Sequence, residues 1–182
     1  MVTIRTMTAA DADEVAEIRV RGWRTAYAGI VPRGYLDAMD PVANAATHRE
    51  RLASGSEPAA DGAAVDAVAE AAGAVVGWAS FGYCRDADRP PGTGELYALY
   101  VRPDLIGTGV GRALWIAALE GLRGLTGHEG ARAVLWVVKD NARARRFYER
   151  AGCRPDGAER SAEYAGTAVP EVRYVLDPLR AP

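Results

Sequence analysis

Apolar residues recur at three- and four-residue spacing early in the chain. Val15, Ile18, Gly22, Trp23, Ala26 and Tyr27 fall on one face, which predicts a helix. Thr8, with Asp11 three residues on, supplies its start, and Gly29 its end. After Pro32, Arg33 to Met39 reads as one or two more helical turns, and Pro41 to Ala53 as a second helix. The Ser/Gly/Pro/Ala-rich stretch 55–62 reads as a loop. Beyond it the period changes. Ala63 to Ala69 and Ala74 to Phe81 form a predicted hairpin around a turn at 71–73. The run CRDADRPPGTG is loop chemistry, and ELYALYV, Glu95 to Val101, is a strand closed by Pro103. Gly107, Gly109 and Gly111 lead into a helix through ALWIAALEGLRG. A strand at Ala133–Val138 precedes a helix at Ala142–Ala151, which Gly152 stops, and a last strand spans 172–176. The opening residues are polar and suggest no element. Residues 29–41, 82–93 and 156–170 are read as connections.

Composition narrows the class further. A chain of 182 residues with 49% hydrophobic and 25% charged positions fits one globular domain over its whole length. Twenty-two basic against 24 acidic residues leave no global field for nucleic acid. No stretch approaches the ~20 apolar residues of a bilayer span, and the opening lacks a signal-peptide core, so a cytoplasmic protein without a membrane partner is expected. Cys84 and Cys153 lie far apart, as do His48 and His128, and none has metal-ligand spacing. The thiols are expected buried or half-buried, both histidines at the surface, and no metal is expected.

The segment VRPDLIGTGVGRAL passes from a strand through three alternate glycines into a helix. Main-chain N–H groups there would converge on one concavity, and the helix dipole adds positive potential, so the expected guest is a phosphate or pyrophosphate. A P-loop is excluded because no GK[ST] follows. A dinucleotide fingerprint wants GxGxxG near the first strand and an acid about 20 residues on. Here the spacing is GxGxG in mid-chain, with Glu129 in a loop.

The turn resembles the signature [QR]xxGx[GA] of the GNAT superfamily of acetyl-CoA-dependent N-acetyltransferases. Gly109 and Gly111 match both glycines, while Ile106 stands where Gln or Arg is usual. Downstream, Asn141, Ala144, Phe147, Tyr148 and Gly152 are similar to the family's N-x-x-A-x-x-[FY]-[YF]-x-x-x-G. The resemblance implies an α/β fold whose mixed, mostly antiparallel sheet carries helices on both faces and splays between the strand before the glycine turn and the next. It implies acetyl-CoA as co-substrate, held by Leu99, Tyr100 and Val101, by Gly107, Thr108, Gly109, Val110, Gly111 and Arg112, and by Asn141, Ala144 and Tyr148. Tyr148 would act at the thioester sulfur and Glu95 would draw a proton through water, or else stand as a solvated strand-end carboxylate. Trp23 and Tyr27 would wall the acceptor. Arg143, Arg145 and Arg146 would meet the 3′-phosphate or decorate an exposed face. The implied partner is a small-molecule or peptide amine; a homodimer is also in keeping with the family. A rival reading, an acyl-CoA sensor without turnover, draws on Ile106.

Overall fold

The computed structural model describes residues 1–54, 64–127 and 132–179. Seven strands form one sheet in the order β1-β2-β3-β4-β5-β7-β6, antiparallel throughout except between β4 and β5. They are β1 (Thr3–Thr6), β2 (Val65–Ala71), β3 (Ala74–Tyr83), β4 (Gly94–Val101), β5 (Ala133–Val138), β6 (Arg154–Tyr164) and β7 (Thr167–Leu176). The helices are α1 (Ala12–Ala26), α2 (Arg33–Asp37), α3 (Pro41–Ala53), α4 (Val110–Thr126) and α5 (Ala142–Arg150).

Two faces of the sheet are covered by different patterns. On one, α1 and α3 bury Ala12, Val15, Ala16 and Ala45 against Val68, Val75 and Trp78. On the other, the apolar stripe of α4 (Val110, Leu114, Ala118, Leu119, Leu122) packs with Phe147 and Tyr148 of α5 over Ala79, Leu96, Leu135 and Tyr174. Gly77, Gly94 and Gly121 let α4 approach closely: a Cβ on Gly121 would stand 2.3 Å from the Phe81 ring.

The structure corrects the sequence reading in three places. The polar opening contains β1, whose Arg5 reaches Asp11 through two bonds of 2.7 Å; Asp11 also accepts from the Thr8 N–H at 2.7 Å. Residues expected as a loop at 156–170 are instead most of a β6–β7 hairpin, turned at Ala165 and Gly166, both with positive φ. Its outer strand is largely exposed and carries an irregularity near Gly157 (φ +90°), so no hydrophobic alternation marks it. His48, expected at the surface, is buried with its ring 5.1 Å from that of Trp78. Cys153 is buried and Cys84 half-buried. Ala63, His128, Glu129 and the loop at 55–62 lie outside the described residues.

Candidate active site

Pairing between β4 and β5 is confined to Gly94–Ala133, Glu95–Val134 and Leu96–Leu135, whereas β4 stays on β3 as far as Val101. Past Leu96 the two parallel strands part, and a cleft of about 650 Å³ opens between them. The N–H of Arg102 donates to Val76 on β3 (2.9 Å). Strand alternation therefore turns the main-chain groups of Leu99 and Val101 toward the cleft, and those of Tyr100 toward β3. The Tyr100 ring instead lies under α1, stacked on Trp78 and close beneath Gly22.

At the end of β4 the chain passes through a short 3-10 turn, Pro103–Leu105, into the glycine segment. Gly107 and Gly109 have φ of +88° and +98°, conformations that favour glycine, and a Cβ on either would project into open space. The N–H of Thr108 is spent on Leu105 O, as is its hydroxyl at 2.6 Å, so Thr108 braces the turn from within. The helical ladder begins with Ala113 donating to Gly109. Among the described residues, the N–H groups of Gly107, Gly109, Val110, Gly111 and Arg112 therefore have no protein acceptor, and no side chain caps the helix. Five unpaired donors at a helix N-terminus, with open space above the glycines, fit an anion of pyrophosphate size. Ile106 lines the same rim and is 39% exposed.

From the opposite wall, α5 offers Asn141, Ala144 and Tyr148 to the cleft. Asn141 caps its own helix, its Oδ1 accepting from Ala144 N (3.1 Å), which leaves the amide NH2 on the cleft side. Tyr148 is wedged between Trp115 and Phe147, with ring centroids 5.6 and 5.1 Å away. Burial holds its phenol well above the ordinary value, so the hydroxyl keeps its proton and acts as a donor. Arg143 reaches the cleft, whereas Arg145 is drawn away to Tyr174 Oη and Lys139 O.

On the α1 side, Trp23, Tyr27 and Tyr164 close the cleft, with Trp23 4.8 Å from Tyr27 and 5.4 Å from Tyr164. The Tyr27 hydroxyl lies beside the Tyr100 hydroxyl and the Asn141 side chain; burial raises its pKa and those two neighbours oppose the rise. Glu95 is 2% exposed and lines the cleft where the strands begin to part. Arg85 grips it from its own N–H (3.0 Å) and Nε (3.2 Å) on Oε2, and from Nη2 (2.7 Å) on Oε1. Thus Glu95 is a buried ion-paired carboxylate and not a solvated one.

Residues 27–153 match the model of the acetyltransferase (GNAT) family. The chain is also 30% identical over 172 residues to the uncharacterised N-acetyltransferase YuaI of Bacillus subtilis, covering 94% of this chain and 91% of that one. The chain belongs to the GNAT acetyltransferase family. Among solved structures, the PaiA N-acetyltransferase of Thermoplasma acidophilum in complex with coenzyme A superposes with a TM-score of 0.68 at 17% identity, covering 94% of this chain and 98% of that one. The phosphinothricin acetyltransferase of Sinorhizobium meliloti in complex with acetyl-CoA gives 0.68 at 18% identity, covering 97% and 88%. These likenesses establish the fold.

As a GNAT acyltransferase dependent on acetyl-CoA, the protein has a second set of cleft residues that the sequence did not reveal: Arg19, Arg85, Trp136, Arg160, Tyr164 and Glu171. Arg160 Nε donates to Glu171 (2.6 Å) and its guanidinium lies 4.2 Å from the Trp136 ring centroid. These side chains come from α1, the loop after β3, β5, β6 and β7 and share no motif, so no local pattern in the sequence marks them. Among the described residues, no group of three or more His, Cys, Asp or Glu could hold a metal, and no helix is long and apolar enough to cross a membrane.

Proposed function

We propose that the protein, a single N-acetyltransferase domain, transfers the acetyl group of acetyl-CoA directly to a primary amine of a small molecule or peptide. Acetyl-CoA supplies the activated acyl carbon and a thiolate leaving group. The observation that carries the reading is the opening of the sheet beyond Leu96, with unpaired donors at one end and Tyr148 and Asn141 along one side. The N–H groups of residues 107 and 109 to 112 hold the pyrophosphate. Leu99 and Val101 pair with the pantetheine amides as a strand would. The Leu99 N–H donates to the carbonyl oxygen as it gains charge. Asn141 steadies the arm through the N–H of its amide that Tyr27 does not engage, and Tyr148 donates to the sulfur as the C–S bond breaks.

The attacking nitrogen must lose a proton as the N–C bond forms. A carboxylate offers about four acceptor sites, and Arg85 fills three on Glu95, leaving one on Oε1. Glu95 stands four residues before Leu99, roughly 13 Å along the strand, so it takes the proton through a chain of water. A covalent enzyme intermediate is not part of this scheme. Burial pushes the Cys153 thiol up to about 12 and raises that of Cys84, and neither lines the cleft.

The test is calorimetric titration with acetyl-CoA and with NAD, followed by thiol release against a panel of amines, repeated for Glu95→Gln across pH. Acetyl-CoA binding with amine-dependent thiol release is expected, and the Glu95→Gln defect should shrink as pH rises and free amine accumulates. Binding without thiol release from any amine would leave a sensor and overturn the reading.

A further inference from the structure

The acceptor end of the cleft carries charges that cancel in pairs, with one exception. Both carboxylates that face it are already neutralised, Glu95 by Arg85 and Glu171 by Arg160. Arg19 lines the same end from α1 and, among the described residues, has no carboxylate partner. One of its terminal nitrogens donates to the neutral Asn44 Oδ1, and its Cζ sits 5.4 Å from the Trp23 ring centroid. The guanidinium is thus held in place by a cap and an aromatic face, half-buried, with its remaining N–H groups unspent. Three arginines face two carboxylates here, so the end is net positive. A polycationic acceptor would find no free carboxylate to bind and would meet an uncompensated cation.

We propose that the acceptor is an amine that also bears a carboxylate, as an amino acid does, with Arg19 holding the carboxylate while the amine faces the parted strands. The inference rests on the acetyltransferase reading above and adds the substrate class to it. Arg19 lies one and two helical turns before Trp23 and Tyr27 on the same face of α1, so the acid group is gripped at one end of the aromatic wall and the amine is presented at the other. A planar guanidinium matches a carboxylate with two parallel bonds, which an amide cannot accept equally.

Matched pairs test this: glycine, L-alanine and L-phenylalanine against their primary amides, with spermidine as the polycation. Thiol release is compared per free base, because the amides carry more unprotonated amine. The acids should exceed the amides in kcat/KM by about ten- to a hundred-fold, the range of a charge-assisted pair. Spermidine should fall below both. Arg19→Gln should collapse the acid-to-amide ratio toward one. Calorimetry of L-phenylalanine with the protein saturated in coenzyme A gives a second readout, and binding there should be lost in Arg19→Gln while coenzyme A affinity stays that of the parent. An acid-to-amide ratio near one in the parent, preference for spermidine, or a ratio unchanged by Arg19→Gln overturns the inference while leaving acetyl transfer intact. Failure to bind acetyl-CoA at all would overturn the reading beneath it.

Discussion

At Gly109 the proposed anion site turns on one absent atom. Its φ of +98° is costly for any residue with a Cβ, and that Cβ would enter the open space over the donors. Gly109→Val should weaken coenzyme A binding by at least about a hundred-fold in calorimetry, since strain and steric exclusion act together at a site worth several charge-assisted bonds. Tyr148→Phe removes only the hydroxyl that the proposed reaction sets against charge developing at sulfur. We expect kcat to fall by about 10²–10³-fold at unchanged coenzyme A affinity. Because burial raises the Tyr148 pKa above its ordinary 10.0, the parent pH–rate profile should show no loss from its ionisation up to that pH. Asp11 makes the opposite case. Its bonds from Arg5 hold the carboxyl down from 3.8 to about 2, with burial opposing them. The folded pKa is depressed, so this stabilisation is complete above 3.8 and lost as pH falls through about 2. Asp11→Asn should flatten that part of an acid-unfolding curve, measured as the denaturant midpoint against pH.

Among the elements, α4 is held close to the sheet by its glycine contacts. Gly121 in mid-helix would ordinarily gain about 1 kcal/mol from replacement by Ala. Here the new methyl would meet the buried Phe81 ring at 2.3 Å, and overpacking costs about 1–3 kcal/mol. Gly121→Ala should therefore lower stability in urea unfolding, against the propensity scale. Which elements were legible follows from how they are specified. The apolar stripe of α4 and the β-rich run Glu95–Val101 announce themselves, and the alternate glycines mark the turn because Gly107 and Gly109 adopt positive φ, which favours glycine. β1 and β6 did not show in the pattern: each is an edge strand, largely polar, held by its neighbour's main chain. The acceptor wall was half legible. Trp23 and Tyr27 share a helix face, but Arg19, Arg160 and Glu171 converge only through the topology of α1, β6 and β7. Glu95 was found at its position, whereas its clamp by Arg85 depends on a loop closed in space.

At the scale of the whole molecule, the sheet is two half-sheets, β1–β4 and β5–β7–β6, joined through three residue pairs and bridged by the helices. In the proposed mode, a ligand seated between them adds the missing pairing. Coenzyme A at about 100 times its Kd should raise unfolding stability by about 2.7 kcal/mol, read as a concentration-dependent rise in Tm, and Gly109→Val should abolish it. With acetyl-CoA bound, hydrogen exchange should slow most at Leu99 and Val101, whose N–H groups lack a strand partner on the cleft side. The parting of β4 from β5 also bears on how such a protein diversifies. In the proposed mode the coenzyme is gripped mainly by peptide groups, which substitutions other than proline preserve so long as the strand persists and the glycines stay. In the same proposal the acceptor is gripped by side chains on α1, β6 and β7, which substitutions alter freely. The two halves of the site can therefore drift independently, and a lineage can exchange one acceptor for another without passing through a form that has lost its acyl donor.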